Sequence, residues 1–139
     1  MKGRVLSPEK QLLLDHISAL LQSRDNILFG YVHGSFAREE KFADIDIGIF
    51  LKNPGSLDPL DIELELEAAL QSFTRFPVDL RILNFAPLSF VYNVIKESIL
   101  VVDKDADLRA DFEGKTFKKY FDFAPYRKRY LKEIANAPL

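Results

Sequence analysis

Two aspartates alternate with isoleucines at the start of a short apolar stretch, and this pattern limits what the chain can fold into. The stretch covers residues 44–51 and consists of Asp-Ile-Asp-Ile-Gly-Ile-Phe-Leu. Successive side chains of a β-strand point to opposite faces, so Asp44 and Asp46 share one face and the isoleucines share the other. Because an ionised carboxylate is costly to bury without a partner, we expect a cation, most simply a metal ion, to neutralise the pair.

Helix and strand signals alternate along the chain and predict an α+β domain. Ser7, Pro8 and Glu9 form a helix start, with a hydroxyl cap, a first-turn proline and an acidic residue. We expect a mixed sheet of about four strands packed with helices, in one domain spanning residues 1–139. The predicted strands are residues 27–33, 44–51, 76–83 and 99–102, and the predicted helices include residues 8–23, 35–41 and 87–98.

Residues 58–70 carry two conflicting signals. Leu60, Ile62, Leu64 and Leu66 alternate as in a strand, although every fourth position from residue 62 to residue 70 is also apolar, as in a helix. Leu, Glu and Ala favour helix, and an Asp-Pro pair at the start supplies a cap and a first-turn proline. A helix is therefore predicted here.

Composition excludes several classes of protein. There is no cysteine, which excludes disulfides and thiolate metal sites, so a bound metal must use oxygen or histidine ligands. The first residues lack the apolar run of a signal peptide, and no segment approaches the roughly 18 apolar residues of a membrane span. We expect a cytoplasmic protein without membrane contact, and a formal net charge of −2 argues against a general nucleic-acid binder.

The C-terminal tail, about residues 104–139, combines positive charge with aromatic residues. Between Lys115 and Lys132 there are seven Lys or Arg and one acid, so this segment is +6 and the rest of the chain −8. We expect one or two helices interrupted near Pro125. Such a mixture could bind nucleic acid, but aromatic residues together with arginine also suit a protein interface, which we favour.

The alternating aspartates are expected to bind metal together with a third acid. The Cα atoms of Asp44 and Asp46 are separated by two strand residues of about 3.3 Å each, or roughly 6.6 Å. Asp79 lies on a later predicted strand, again on the face opposite the aliphatic residues, and would join them if the strands are neighbours. Carboxylates that leave coordination positions open suit Mg²⁺, and two such ions can assist the transfer of a phosphoryl group.

A phosphate site is predicted at the end of the first strand. Gly34 allows the backbone to approach a ligand closely, and a helix beginning at Ser35 would direct free N–H groups and a hydroxyl at a phosphate. Arg38, one turn later, could bind a phosphate through its guanidinium, although a solvated or helix-paired arginine is equally consistent with the sequence. We expect His33 to be packed locally and Arg81 to pair with Asp79.

These motifs resemble the nucleotidyltransferase superfamily of the DNA polymerase beta type. The resemblance rests on Gly34-Ser35, Asp44-Ile-Asp46 and Val78-Asp79-Leu80. The short chain and the sequence Gly-Ser-Phe-Ala-Arg at residues 34–38 are most similar to the minimal nucleotidyltransferases, which are antitoxin partners of HEPN-domain toxins. The fold implied is the polymerase beta-like palm. The resemblance assigns Asp44, Asp46 and Asp79 to two Mg²⁺ ions and to catalysis, and Gly34, Ser35 and Arg38 to ATP binding.

The resemblance also implies a reaction and a partner. Such antitoxins transfer AMP from ATP to a tyrosine hydroxyl of the HEPN ribonuclease, with which a hetero-oligomer is expected. Two departures from the family pattern bear on catalysis, since only eight residues separate Ser35 from Asp44 and Glu39 stands where a glycine is usual. Two alternatives remain open: a module that neutralises its partner by binding alone, and an enzyme that modifies a small molecule.

Overall fold

Four strands and five α-helices form within residues 6–39 and 41–136, which are the residues that the computed structural model describes. The strands are β1 Ile27–His33, β2 Ile45–Leu51, β3 Val78–Ile82 and β4 Ser98–Asp103. The helices are α1 Pro8–Gln22, α2 Ser35–Arg38, α3 Pro59–Gln71, α4 Leu88–Lys96 and α5 Ala106–Asn136. The ambiguous segment is thus a helix, as predicted.

The strands form one mixed sheet in the order β3-β2-β1-β4. The strand β1 is antiparallel to both β2 and β4, whereas β3 is parallel to β2. The parallel pair is connected through α3, because strands that run in the same direction require a crossover. This arrangement confirms the predicted α+β fold with a four-stranded mixed sheet.

Both faces of the sheet are covered by apolar packing. The isoleucines at positions 45, 47 and 49 of β2 are buried on one face against α1 and α3. Phe29 and Tyr31 are buried on the other face, against residues of α4 and α5. Asp46 lies on this second face, close to where β2 begins. The predicted site therefore lies at the edge of this second face, near the start of β2, where Asp46 is only partly buried.

The starts of α1 and α3 have the expected caps. The hydroxyl of Ser7 accepts a hydrogen bond of 3.2 Å from the backbone N–H of Lys10. The carboxylate of Asp58 accepts one of 3.0 Å from the N–H of Leu60. In both helices a proline follows the cap, where its missing N–H has no intrahelical acceptor to lose.

One side of α3 satisfies the exposed edge of β3. Gln71, Glu67 and Glu63 accept hydrogen bonds from the backbone N–H groups of residues 78, 80 and 82, at 3.2, 2.7 and 3.0 Å. The side chains are four residues apart on the helix, a rise of about 6.0 Å, and the N–H groups are two residues apart on the strand, a rise of about 6.6 Å. The spacing of the acceptors therefore matches the spacing of the donors. The helix thereby protects an edge strand that could otherwise pair with another chain.

The helix α5 is attached to the sheet by polar contacts. The Tyr31 hydroxyl donates a 2.6 Å hydrogen bond to the Glu113 carboxylate. Arg109 donates to Asp103 at 2.8 Å and to Glu113 at 3.2 Å. Burial and the neighbouring Glu113 carboxylate raise the pKa of Tyr31 far above its ordinary value. The phenol therefore remains a hydrogen-bond donor at all ordinary pH values.

Two boundaries near the predicted site differ from the sequence prediction. The helix expected over residues 35–41 is a single turn that ends at Arg38, and Glu39 is extended. With only eight residues between Ser35 and Asp44, the chain must leave the helix early to reach the start of β2. The strand itself begins at Ile45, where pairing with β3 starts, so Asp44 lies one residue before it.

The predicted interruption at Pro125 is wrong, since α5 continues through this residue. A proline inside a helix removes one hydrogen bond, here the bond to the carbonyl of Phe121. Phe121 is 60% exposed, so water can satisfy the carbonyl in this part of the helix.

No helix among the described residues is both long enough and apolar enough to span a membrane.

Candidate active site

The sheet register places two of the predicted carboxylates side by side. Asp46 on β2 lies directly opposite Asp79 on the parallel strand β3, and on its other side it lies opposite His33. Asp44 is exposed, one residue before β2. The predicted metal site required β2 and β3 to be neighbouring strands, and the structure shows that they are.

Asp46 lies in an environment that disfavours its charge. Partial burial is the main factor that raises its pKa, and the negative charges of Asp44 and Asp79 raise it further. The positive charges of Arg38 and Arg81 act in the opposite direction but do not outweigh these effects. A cation bound between the carboxylates would relieve this repulsion directly.

Asp79 is paired with Arg81 through a 3.1 Å contact, as the sequence analysis predicted. With the side chains in these positions, no group of three acidic or histidine residues within 6–39 and 41–136 is arranged to hold a metal ion. Both members of the pair are more than half exposed, and such exposed ion pairs contribute roughly 0–1 kcal/mol. Rotation of Asp79 toward a bound cation therefore costs little.

Gly34 allows the backbone after β1 to lie against the Asp46 carboxylate. Its φ angle is +72°, a conformation that residues with a side chain rarely adopt. A Cβ at this position would lie 2.3 Å from Oδ2 of Asp46, which is far inside van der Waals contact. The predicted phosphate-binding turn and the predicted metal ligand are therefore in direct contact.

Ser35 and Arg38 lie on the single turn of α2 beside this contact. The Ser35 hydroxyl oxygen is buried and has no hydrogen-bond partner among the described residues, although buried polar groups are normally paired. Arg38 is exposed, and its charge lowers the pKa values of both His33 and Asp46. A buried, unsatisfied hydroxyl on the same helical turn as an arginine suits an anionic ligand such as a phosphate.

His33 is a neighbour of the site that the sequence suggested only as a packing residue. Its ring packs edge-on against Phe90, with 5.8 Å between ring centroids, and its Nε2 is buried without a partner among the described residues. Burial is the main cause that lowers its pKa to about 4, so the imidazole is neutral near pH 7. The packing prediction holds, but nothing in the sequence indicated that Phe90, from a distant helix, would cover this ring.

The donor set fits a divalent cation and a nucleotide. The three acids offer hard oxygen ligands, as Mg²⁺ prefers, and a positive charge beside Asp46 would offset the burial and the neighbouring acids that raise its pKa. Gly34 has no side chain to block a ligand from the backbone, and Ser35 has a hydroxyl without a hydrogen-bond partner among the described residues. The chemistry of these residues therefore fits a metal ion beside an anionic group.

The chain matches a known protein family. The family described as "Polymerase beta, Nucleotidyltransferase" matches residues 15–107, a range that includes every residue of the candidate site. No curated protein matches the chain at a significant level.

Solved structures with a similar fold come from toxin–antitoxin complexes. A chain of the complex of tri-AMPylated HEPN toxin with MNT antitoxin from Shewanella oneidensis superposes with a TM-score of 0.74 and 23% identity, over 91% of this chain and 98% of that chain. A chain of the MntA-HepT toxin–antitoxin gives a TM-score of 0.72 and 22% identity, over 90% of this chain and 98% of that chain. A toxin–antitoxin structure with AMP-PNP gives 0.70 and 22%, over 94% and 99%. These likenesses establish a common fold.

Proposed function

Since this chain belongs to the polymerase beta nucleotidyltransferase family, we propose that it transfers AMP from ATP to a hydroxyl group of a HEPN-domain protein and acts as the antitoxin of that protein. The observation that carries the proposal is the juxtaposition of Asp46 with Asp79 on one side and Gly34 on the other. Carboxylates for a metal ion and a turn for a phosphate thus meet at one point.

Each residue of the site has a distinct role in this proposal. Asp44, Asp46 and Asp79 would hold divalent cations, two Mg²⁺ ions in the complete site, and Gly34, Ser35 and Arg38 would bind the triphosphate. When bound, the cations polarise the phosphate oxygens and neutralise their negative charge. The chain's own residues fix the triphosphate in line with the acceptor. His33, which is neutral, adds no positive charge to this arrangement.

The transfer exchanges one bond to phosphorus for another. The acceptor oxygen loses its proton, forms a bond to the α-phosphorus of ATP, and the bond from that phosphorus to the bridging oxygen of the β-phosphate breaks. Pyrophosphate leaves with the electron pair of the broken bond. Asp79, on the edge strand and more than half exposed, is the carboxylate best placed to receive the acceptor proton.

The nature of the acceptor is inferred from the structural neighbours. One of them contains a tri-AMPylated HEPN toxin with its antitoxin, and another toxin–antitoxin structure contains AMP-PNP. The shared fold over nine tenths of this chain supports the same pairing of ATP with a HEPN protein here. A tyrosine hydroxyl is the proposed acceptor group.

The exposed half of α5 supports a protein partner. Beyond residue 120 this helix carries six large apolar side chains that are at least half exposed: Phe121, Phe123, Tyr126, Tyr130, Leu131 and Ile134. Apolar surface of this extent, interleaved with arginine and lysine, is typical of protein interfaces. We infer that this part of α5 contacts the HEPN protein.

Labelled ATP tests the proposed transfer. A HEPN-domain protein from the same source is incubated with this chain, Mg²⁺ and ATP labelled at the α-phosphate. Label should appear on the HEPN protein with the wild type and with Asp107→Asn, an exposed carboxylate far from the site, but not with Asp44→Asn. Equal labelling by Asp44→Asn would refute the proposed metal ligands.

A binding module without catalysis is the second candidate. The pairing of Asp79 with Arg81, the short segment after α2 and the carboxylate of Glu39 all favour it. In this case Asp46→Asn would still suppress the growth defect caused by the HEPN protein. Loss of suppression by a folded Asp46→Asn variant would exclude the module.

A further inference from the structure

A cavity of about 340 Å³ opens next to the predicted site, and neither the metal nor the phosphate residues account for it. It lies between the start of α3, the end of β3 and the start of α4. Its apolar walls include Ile82, Phe85, Pro87 and Phe90. Phe85 is 57% exposed, an unusual position for a large aromatic side chain, so part of the wall has no cover within the described residues.

The cavity is continuous with the carboxylates through two of its lining residues. Arg81 lines the cavity and contacts Asp79 at 3.1 Å. Phe90 lines it as well and packs on His33, which lies opposite Asp46 in the sheet. The cavity therefore adjoins the residues of the candidate site.

Only two of the eight lining residues, Glu63 and Arg81, have polar side chains, and each has one hydrogen-bond partner. The Glu63 carboxylate accepts a 3.0 Å hydrogen bond from the N–H of Ile82, and the Arg81 side chain is paired with Asp79. A nucleobase has several donors and acceptors that need partners when it is buried. A phenol ring has one polar group, which lies at its end. The walls thus suit a flat aromatic ring that places one hydroxyl outside the apolar part of the cavity.

The order of groups across the sheet indicates which substrate would lie there. The phosphate turn follows β1, Asp46 is on β2, and Asp79 is on β3, with the cavity beyond it. In an in-line displacement, the attacking oxygen and the leaving oxygen lie on opposite sides of the phosphorus. With the leaving pyrophosphate at the Gly34 turn, the attacking hydroxyl must approach from the Asp79 side.

From this order and from the wall chemistry we infer that the cavity is the acceptor pocket, and that it binds the phenol ring of a tyrosine residue of the partner protein. The ring lies between Phe85 and Phe90, and its hydroxyl reaches Asp79. This inference rests on the proposed function, in which that hydroxyl forms the bond to the α-phosphorus, loses its proton and displaces pyrophosphate.

Nuclear magnetic resonance of the isolated chain tests the pocket without any requirement for catalysis. N-acetyl-L-tyrosinamide should shift the methyl signals of Ile82 and Ala86, and Phe85→Ala should weaken this binding at least fivefold. N-acetyl-L-leucinamide is the control and should leave both signals unchanged. Shifts with AMP-PNP alone would assign the pocket to the nucleobase and overturn the inference, as would the absence of any shift.

Kinetics of AMP transfer supply a second readout. Phe85→Ala should raise KM for the HEPN protein about tenfold or more and change KM for ATP less than twofold, because only acceptor binding is lost. Leu12→Ala, which removes an equally exposed apolar side chain on α1, should change neither constant. A rise in KM for ATP alone, or unchanged constants, would contradict the assignment. If the wild type transfers no AMP, the proposed function fails, whereas the spectra still decide whether the pocket binds a phenol.

Discussion

At the scale of single residues, the contact between Gly34 and Asp46 is the tightest constraint in the site. The sequence predicted both residues as functional but not that they touch. Their contact follows from the end of β1 lying beside the start of β2, which places the turn at residue 34 over the carboxylate. A glycine is required there both for its φ angle and for the lack of a Cβ.

Gly34→Ala should therefore damage the site more than the fold. The backbone angles of Gly34, φ +72° and ψ −154°, cost a residue with a Cβ about 1–3 kcal/mol, and the added methyl group displaces the Asp46 carboxylate. We expect a loss of that order in the free energy of unfolding and a fall in AMP transfer of at least about tenfold. Denaturant titration and the labelled-ATP assay measure the two effects. Gly55→Ala, where a Cβ would meet nothing within 4 Å, is the matched control.

Asp46→Asn should have opposite effects on stability and activity. The pKa of Asp46 in the folded state is raised above its ordinary value of 3.8. The folded state therefore binds the carboxyl proton of Asp46 more tightly than the unfolded state does. The stabilisation from the protonated form is complete below 3.8 and is lost as pH rises through the raised pKa. At pH 7 the charge thus destabilises the metal-free protein, and Asn removes that cost.

In EDTA at pH 7 we expect Asp46→Asn to unfold at a higher urea concentration than the wild type, with the difference shrinking toward pH 3.8. Mg²⁺ should stabilise the wild type and not the variant. Transfer should fall by about 100-fold or more, since the cations supply several kcal/mol to the reaction. A variant less stable than the wild type in EDTA would show that burial and the neighbouring acids do not make the Asp46 charge unfavourable.

At the scale of elements, the match between α3 and β3 explains how an edge strand can carry Asp79 in a fixed position. Alternating N–H groups of β3 are satisfied by side chains one helical turn apart. The sequence predicted both elements, but their pairing depends on the parallel crossover. Similarly, the length of α2 and the continuity of α5 through Pro125 depend on the space and solvent around them.

Glu67→Leu should destabilise the protein by about 1 kcal/mol, because the Leu80 N–H loses its acceptor. Glu67→Gln retains an acceptor oxygen and should lose less than half as much. Urea midpoints of the two variants measure the difference. If both variants lose the same amount, the charge of Glu67 rather than its hydrogen bond stabilises the edge.

At the scale of the whole molecule, the chain consists of a sheet with its helices and a helix that extends beyond it. Tyr120 stacks on Tyr92 of α4 with 3.7 Å between ring centroids, and the large apolar residues that follow it on α5 are at least half exposed. The basic and aromatic composition predicted an interface here. Which residues stay anchored could not be predicted, since Tyr92 belongs to another helix.

Truncation after Asp122 should separate folding from partner binding. It preserves the Tyr92–Tyr120 stack and removes most of the exposed apolar residues, so we expect an unchanged unfolding midpoint. Binding to the HEPN protein should weaken at least tenfold, as measured by titration calorimetry. A truncated chain that binds with full affinity would show that α5 does not form the interface.

The mass of the HEPN protein after incubation with this chain, ATP and Mg²⁺ tests the central claim most directly. We predict a gain of one or more AMP units on a tyrosine with the wild type, and no gain with Asp46→Asn or in EDTA. An unchanged mass, although the two proteins form a stable complex, would contradict the transfer of AMP by this chain.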